Sequence, residues 1–177
     1  MSAELTRTSS MEDILKAYPA SQRALFQRYH IGGCSSCGFQ PGDSLEKVCQ
    51  NHGGLDAGEV LSFIREAQTV EEKMHISVRE TADALKAGQG LKLLDVRSPE
   101  EWQIAHISGA QLVTQELAVE ILQQWAKDTP IVVHCHSGVR SLDAAAYLSS
   151  HGFTNVRSMT GGIEAWSNEI DPSVPRY

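Results

Sequence analysis

Ile131-Val132-Val133-His134-Cys135-His136-Ser137-Gly138-Val139-Arg140-Ser141 reads as a strand, a tight loop and the first turn of a helix. Ile131–His134 is the most apolar of the short strand-like runs, and it runs straight into Cys135. Gly138 lets the chain turn, and Val139–Ser150 carries helical spacing. Outward from this centre, strand and helix patterns alternate. Toward the N-terminus lie a helix over 114–126 with Leu117, Ile121 and Leu122 inward, a strand over 111–113 and a helical turn Pro99–Ile104. Before them come a buried strand over 91–95, a helix over 79–87 ended by Gly88, and a short strand over 75–78. Toward the C-terminus a last strand (155–158) and a last helix (162–168) complete the set. This alternation predicts a parallel sheet covered by helices on both faces. In such sheets ligands bind beyond the carboxyl ends of the strands, where Cys135 sits.

That position bears on the thiol's chemistry. A strand–loop–helix turn aims backbone N–H groups at one point and adds the positive end of a helix dipole. Both favour a thiolate, so Cys135 is expected to have a lowered pKa and a nucleophilic sulfur. Arg140 places a permanent cation at the rim, and His136 can add charge near the pH where imidazole titrates. The competing reading is an inert buried thiol at a strand end. Gly138, Arg140 and the helix that follows favour the active reading.

Four residues separate Cys135 from Arg140. This spacing resembles the six-residue active-site loop of the rhodanese sulfurtransferases, whereas cysteine-dependent phosphatases place five residues between Cys and Arg. Leu93-Leu94-Asp95-Val96-Arg97-Ser98-Pro99-Glu100-Glu101-Trp102 resembles the same family's strand-and-turn signature. His106-Ile107-Ser108-Gly109-Ala110 is similar to its His-Ile-Pro-Gly-Ala turn, with Ser108 in place of Pro. Gly161-Gly162-Ile163-Glu164-Ala165-Trp166 resembles its closing segment. The resemblance covers about residues 75–170 and implies an α/β rhodanese-like domain with a five-stranded parallel sheet. It also implies a double displacement. Cys135 takes the outer sulfur of a donor such as thiosulfate, holds it as a persulfide cradled by His136, Ser137, Gly138, Val139, Arg140 and Ser141, and gives it to a thiol. His136 departs from the Arg or Lys often found at that position in thiosulfate-using members.

Other polar residues of this half read as structural. Asp95 ends a strand and can accept turn N–H bonds, and Arg97 can pair with it or with a helix end. His106 is expected to hold the glycine turn by hydrogen bonding. His134 should point to the face opposite Cys135 as a satisfied strand histidine, and Trp102, Trp125 and Trp166 read as core or rim.

Residues 1–70 read as a small helical module carrying a C-x-x-C, and 75–177 as the second domain, with 69–73 as a polar linker. Ser10 caps a helix bearing Met11, Ile14 and Leu15, and Pro19 opens the next, bearing Ala24, Leu25 and Phe26. Asp43 or Ser44 starts a third with Leu45, Val48 and Cys49, and Asp56 with Glu59 suggests a capping box for a helix over 57–68. Between the second and third lies Gly32-Gly33-Cys34-Ser35-Ser36-Cys37-Gly38. Cys34 and Cys37 can form a disulfide or bind a metal. With Cys49 and His52 they would make four zinc ligands, although Cys49 also sits on an apolar helical stripe, where a buried thiol is common. Ile14-Leu15-Lys16-Ala17-Tyr18-Pro19, Tyr29-His30-Ile31-Gly32-Gly33, the two cysteines and Ser44-Leu45-Glu46 are similar to a hybrid-cluster-associated disulfide domain of unknown function. They are more distantly similar to the N-terminal module of iron-centre repair proteins. The resemblance implies a redox dithiol. A persulfide former and a dithiol on one chain suggest a relay from Cys135 to Cys34 or Cys37.

The 177 residues carry 15 Lys+Arg against 22 Asp+Glu, a formal net charge of −7. No basic face for nucleic acid is expected from that balance, and no apolar run approaches the ~18 residues of a membrane span. Residues 1–10 lack the apolar stretch of a secretory signal, so a reducing cytosol is the expected compartment. The expected partners are a small sulfur donor and a thiol acceptor such as glutathione, thioredoxin or a protein thiol. No cofactor is called for, and an oligomer is compatible with the sequence. A low-turnover sulfur carrier or redox-regulatory binding module is the alternative to an enzyme.

Overall fold

The computed structural model describes residues 5–32, 38–88 and 90–177. The chain divides into two compact units, Met1–Glu72 and Lys73–Tyr177.

The first unit is built on α1 (Met11–Ala17), α2 (Ser21–Tyr29), α3 (Leu45–Asn51) and α4 (Ala57–Met74). Ser10 and Ser44 cap α1 and α3 with their hydroxyls and face each other in an isolated antiparallel bridge. Met11, Ile14, Leu25, Leu45, Val48, Cys49 and Ile64 make one core. Three expectations are corrected. Pro19 lies ahead of α2, which begins at Ser21. Phe26 is 48% exposed, because the buried face of α2 runs through Ser21, Ala24 and Leu25. The last helix does not stop at Gln68: residues 69–73, where the boundary between the two units falls, continue α4, and neither Gly nor Pro interrupts the helix. The Thr69 hydroxyl bonds Arg65 O (3.1 Å), and Glu71 pairs with Arg23.

The second unit is an α/β layer structure: β1 (His75–Ile76), α5 (Val78–Lys86), β2 (Lys92–Asp95), α6 (Pro99–Ile104), β3 (Gln111–Leu112), α7 (Gln115–Gln124), β4 (Ile131–His134), α8 (Val139–Ser150), β5 (Val156–Met159) and α9 (Gly162–Glu169). The five strands pair in parallel in the order β1-β5-β4-β2-β3. All four residues of β4 are buried, as a central parallel strand requires. Alternation sends Val132 into the core with Leu93, Ile163 and Trp166, and Val133 into the opposite one with Leu94, Ala145 and Leu148. Ser77, Ser98 and Thr114 cap α5, α6 and α7 with side-chain oxygens. Helices α8 and α9 instead start from Gly138 and Gly161, both left-handed, and neither has a side-chain cap. Among the described residues no helix is long and apolar enough to cross a membrane.

Candidate active site

The two glycine-started helices meet at Cys135, which follows β4 at the carboxyl edge of the sheet and is 1% exposed. The Gly138 amide donates to its sulfur at 3.1 Å, and the Ser141 hydroxyl lies 3.5 Å away. Burial opposes ionisation of this thiol. The Ser141 hydroxyl, together with the amides of Ser141, Gly138 and Ser137, outweighs burial and holds the pKa below the ordinary thiol value. The sulfur thus takes the Ser141 amide in the first turn of α8, which a side-chain cap would otherwise satisfy.

Helix α9 fixes the other side of the loop. The Ile163 amide donates to Cys135 O (2.9 Å) and the Glu164 amide to His136 O (3.2 Å). Peptide bonds among the described residues are trans, so these carbonyls, turned toward α9, leave the His136 and Ser137 N–H groups on the opposite side, where the Ser137 amide bears on the sulfur. Gly162 makes the approach close. A Cβ there would stand 2.3 Å from His136 O and 2.4 Å from Cys135 O. Gly138 is similarly confined, with Gly161 N 3.2 Å from where its Cβ would be.

The rim is a chain of charges, each with a partner. Arg140 meets Glu101 through two bonds of 2.7 and 2.8 Å, which draw the Glu101 carboxyl down to about 2. Glu101 also accepts the Ser98 amide and the Tyr177 hydroxyl (3.2 Å). Tyr177 in turn accepts from Arg97 (2.5 Å), and its ring meets His136 edge-on at 4.9 Å. The His136 Nδ1 is buried and has no hydrogen-bond partner among the described residues. Ser137 and Val139 complete the loop, and the Val139 side chain is exposed.

Asp95 and Arg97 act as the sequence suggests. Asp95 accepts the Arg97 amide (3.0 Å) and its guanidinium (2.6 Å), and Arg97 reaches Ala105 O at 2.7 Å. Two histidine expectations are corrected. His134 is fully buried but satisfied at one nitrogen only: Nδ1 reaches Cys135 O (3.5 Å), while Nε2 lies 3.6 Å from Asp95 Oδ2 without a hydrogen bond. Burial pushes it down to about 4, so it is neutral at pH 7. His106 does not hold the glycine turn. It stacks on Trp102 (4.5 Å) and bonds Trp102 O, while the turn is closed by Ala110 N on Ile107 O.

The proposed zinc set fares differently residue by residue. Cys34 and Cys37 lie outside the described residues. Cys49 is fully buried on the apolar face of α3, and burial pushes its thiol up. His52 bonds Val48 O through Nδ1 (2.8 Å). Among the described residues no three His, Cys, Asp or Glu converge as metal ligands.

Sequence reasoning assigned no role to Glu101 or to Gly162, though both stand inside quoted motifs. It missed Ser158 and Tyr177 altogether. The Ser158 hydroxyl lies 2.8 Å from that of Ser141, behind the sulfur.

The chain is 40% identical over 104 residues to the probable adenylyltransferase/sulfurtransferase MoeZ of Mycobacterium tuberculosis; the match covers 58% of this chain and 26% of that protein. The chain therefore spans about a quarter of that relative's length. It is 38% identical over 93 residues to the thiosulfate sulfurtransferase GlpE of Vibrio cholerae, covering 52% of this chain and 87% of GlpE. A solved rhodanese-like domain protein from Staphylococcus aureus superposes with a TM-score of 0.47 at 26% identity, covering 58% and 97% of the two chains. The Rhodanese-like domain model matches residues 77–169, a span that contains the cysteine loop, both glycine-started helices and the whole sheet but β1. With more than half of its residues in that match, the chain belongs to the rhodanese-like family.

Proposed function

We propose that the chain is a sulfurtransferase that carries sulfane sulfur on Cys135 from thiosulfate or a related donor to a thiol. One observation carries the reading: the amides of Ser137, Gly138 and Ser141 converge on a sulfur at the carboxyl end of a parallel strand. The Cys135 thiolate attacks the outer sulfur of the donor. The bond from that sulfur to the sulfonate breaks, and sulfite leaves with the electron pair. The new terminal sulfur is anionic and takes up the loop's N–H groups. An acceptor thiolate then attacks it, forming the acceptor persulfide and restoring the Cys135 thiolate. The sulfurtransferase activities for which the relatives are named support this reading, as does the lowered thiol pKa.

The test is intact-mass analysis after thiosulfate. Wild type gains one sulfur, about 32 Da, and Cys135→Ser gains none. Wild type without the added mass, or Cys135→Ser with it, would overturn the proposal.

The near-complete burial of Cys135 favours a second reading, a slow carrier that loads sulfur and gives it up only to a docked partner. Steady-state turnover with glutathione and thioredoxin separates the two: rapid turnover with either excludes the carrier. The acceptor we assign first is the dithiol Cys34/Cys37. One of these thiolates takes the sulfur, and its neighbour then attacks to form a disulfide and expel sulfide, so two thiols supply the two electrons. In a single turnover without reductant, wild type should release sulfide. Equal release from Cys37→Ser would remove the relay.

A further inference from the structure

Behind the Cys135 sulfur lie two hydroxyls in series, Ser141 at 3.5 Å and then Ser158 a further 2.8 Å on. Both residues are essentially fully buried, at 0% and 1% exposure. Ser158 belongs to β5, and its hydroxyl has no described partner other than Ser141. Ser141 has three neighbours and one proton: Ser158 Oγ, the sulfur, and Gly138 O at 3.1 Å. A carbonyl and a thiolate only accept. If Ser141 gave its proton to Ser158, the Ser158 proton would be buried without an acceptor, and the thiolate would lose its hydroxyl donor. Stranding a buried donor is the costlier arrangement.

We infer that Ser158 is a positioning residue for the sulfur chemistry: it donates to Ser141 and so commits the Ser141 proton to the Gly138 carbonyl or the Cys135 sulfur. With Cys135 as a thiol, Ser141 donates to Gly138 O. When the sulfur becomes anionic, the same proton swings to it, and no buried group is left unpaired in either state. The donation from Ser158 also polarises the Ser141 O–H and strengthens the bond to the anion. The inference rests on the sulfurtransferase reading for its purpose but not for its test.

The test is the pH profile of iodoacetamide alkylation at Cys135, followed by peptide mapping in the full chain. Ser158→Ala is expected to raise the midpoint by about half a unit, roughly a threefold loss of thiolate below the midpoint. Ser158→Thr and Ser158→Val, matched in volume, control for packing: Thr should keep the wild-type midpoint and Val should shift it. In a Ser141→Ala background, Ser158→Ala should add no further shift, because its effect runs through Ser141. An unchanged midpoint in Ser158→Ala, like behaviour of Thr and Val, or an equal shift without Ser141 would each overturn the inference. Alkylation needs no sulfur donor. Failure of this test with a persulfide still forming removes Ser158 alone, whereas absence of a persulfide removes the broader reading and leaves this profile interpretable.

Discussion

Replacing Gly162 by alanine tests whether α9 aims the amides that surround Cys135. Gly162 sits at φ +57°, where an L side chain costs about 1–2 kcal/mol whatever its surroundings. Its surroundings add the decisive effect. The new Cβ would stand 2.3 and 2.4 Å from the carbonyl oxygens of His136 and Cys135, and both atoms are backbone. Real contacts of this kind stay beyond 3.0 Å, so the loop must retreat from α9 by about 0.7 Å or more. Those carbonyls are the ones bonded to Ile163 N and Glu164 N. As they move, the N–H groups on the far side of the same peptides move with them, and the Ser137 amide swings off the sulfur. A displacement near 1 Å at a reacting centre costs on the order of 100-fold in rate, and kcat/KM for sulfur transfer should fall by about that factor. Gly88→Ala is the control. Gly88 has a similar φ of +65° with nothing within 4 Å of the added atom, so it carries the backbone strain alone. Both variants should melt several degrees lower, but Gly88→Ala should keep wild-type turnover and the wild-type alkylation midpoint of Cys135. If Gly162→Ala stays within threefold of wild type in kcat/KM, the α9 seat does not aim the loop and the account of the site is wrong.

Two further outcomes follow from buried charge. Arg97→Met leaves Asp95 buried without its guanidinium, and breaking such a pair costs about 3–5 kcal/mol, so the second unit should melt more than ~10 °C lower by calorimetry. His134 has a folded pKa of about 4, well below that of a free imidazole, so the unfolded chain takes up its proton first as pH falls. Its contribution is complete above about pH 7 and is lost as pH drops toward 4, a change on the order of 3 kcal/mol. The carboxylates with lowered pKa, Glu101 among them, act below about 4.5. Urea unfolding at pH 7 and pH 5 therefore isolates the histidine, and His134→Gln should flatten the difference. A wild type equally stable at both pH values would contradict the assignment.

What the sequence made legible was what local patterns determine. Ile131–His134, Val139–Ser150 and Pro99–Ile104 have the same ends in the structure as in the pattern. A buried apolar run stopped by a cysteine loop, and a Ser-Pro helix start, are signals confined to a few residues. Segment 69–73, where the two units divide, shows the converse, since it is helical. Its polar composition hides the helix, in which Glu71 pairs with Arg23 and Glu72 accepts from Gln68. Glu101 was visible as a capping residue of α6, but its bonds to Arg140, 39 positions away, have no periodic trace. Ser158 is a small polar residue on a strand, and hydropathy cannot distinguish a hydroxyl buried behind a sulfur from one in solvent. Tyr177 reaches Glu101 across 76 positions of chain. The cysteine could be read because strand, loop and helix that form its pocket are contiguous, and the rest of the site comes from contacts that are not.

The source of the thiolate's stabilisation leads to a prediction about salt. Both guanidiniums tied into the rim are matched by carboxylates, Arg97 by Asp95 and Arg140 by Glu101. The largest contributions that lower the Cys135 pKa come from uncharged groups, one hydroxyl and three amides, within a pocket that leaves the residue 1% exposed, and the Arg140 charge adds a smaller one. Mobile ions screen exposed charges beyond about 10 Å at 0.1 M, but they do not reach hydrogen bonds to a buried atom. The alkylation midpoint of Cys135 should therefore move by less than about 0.2 units between low salt and 0.5 M salt. A thiolate held by an unpaired surface cation would lose much of its stabilisation over that range. A salt-driven rise of half a unit or more would make Arg140 the principal stabiliser and demote the amide ring. A flat response leaves the ring, seated on α9 and backed by Ser141, as what keeps the sulfur anionic.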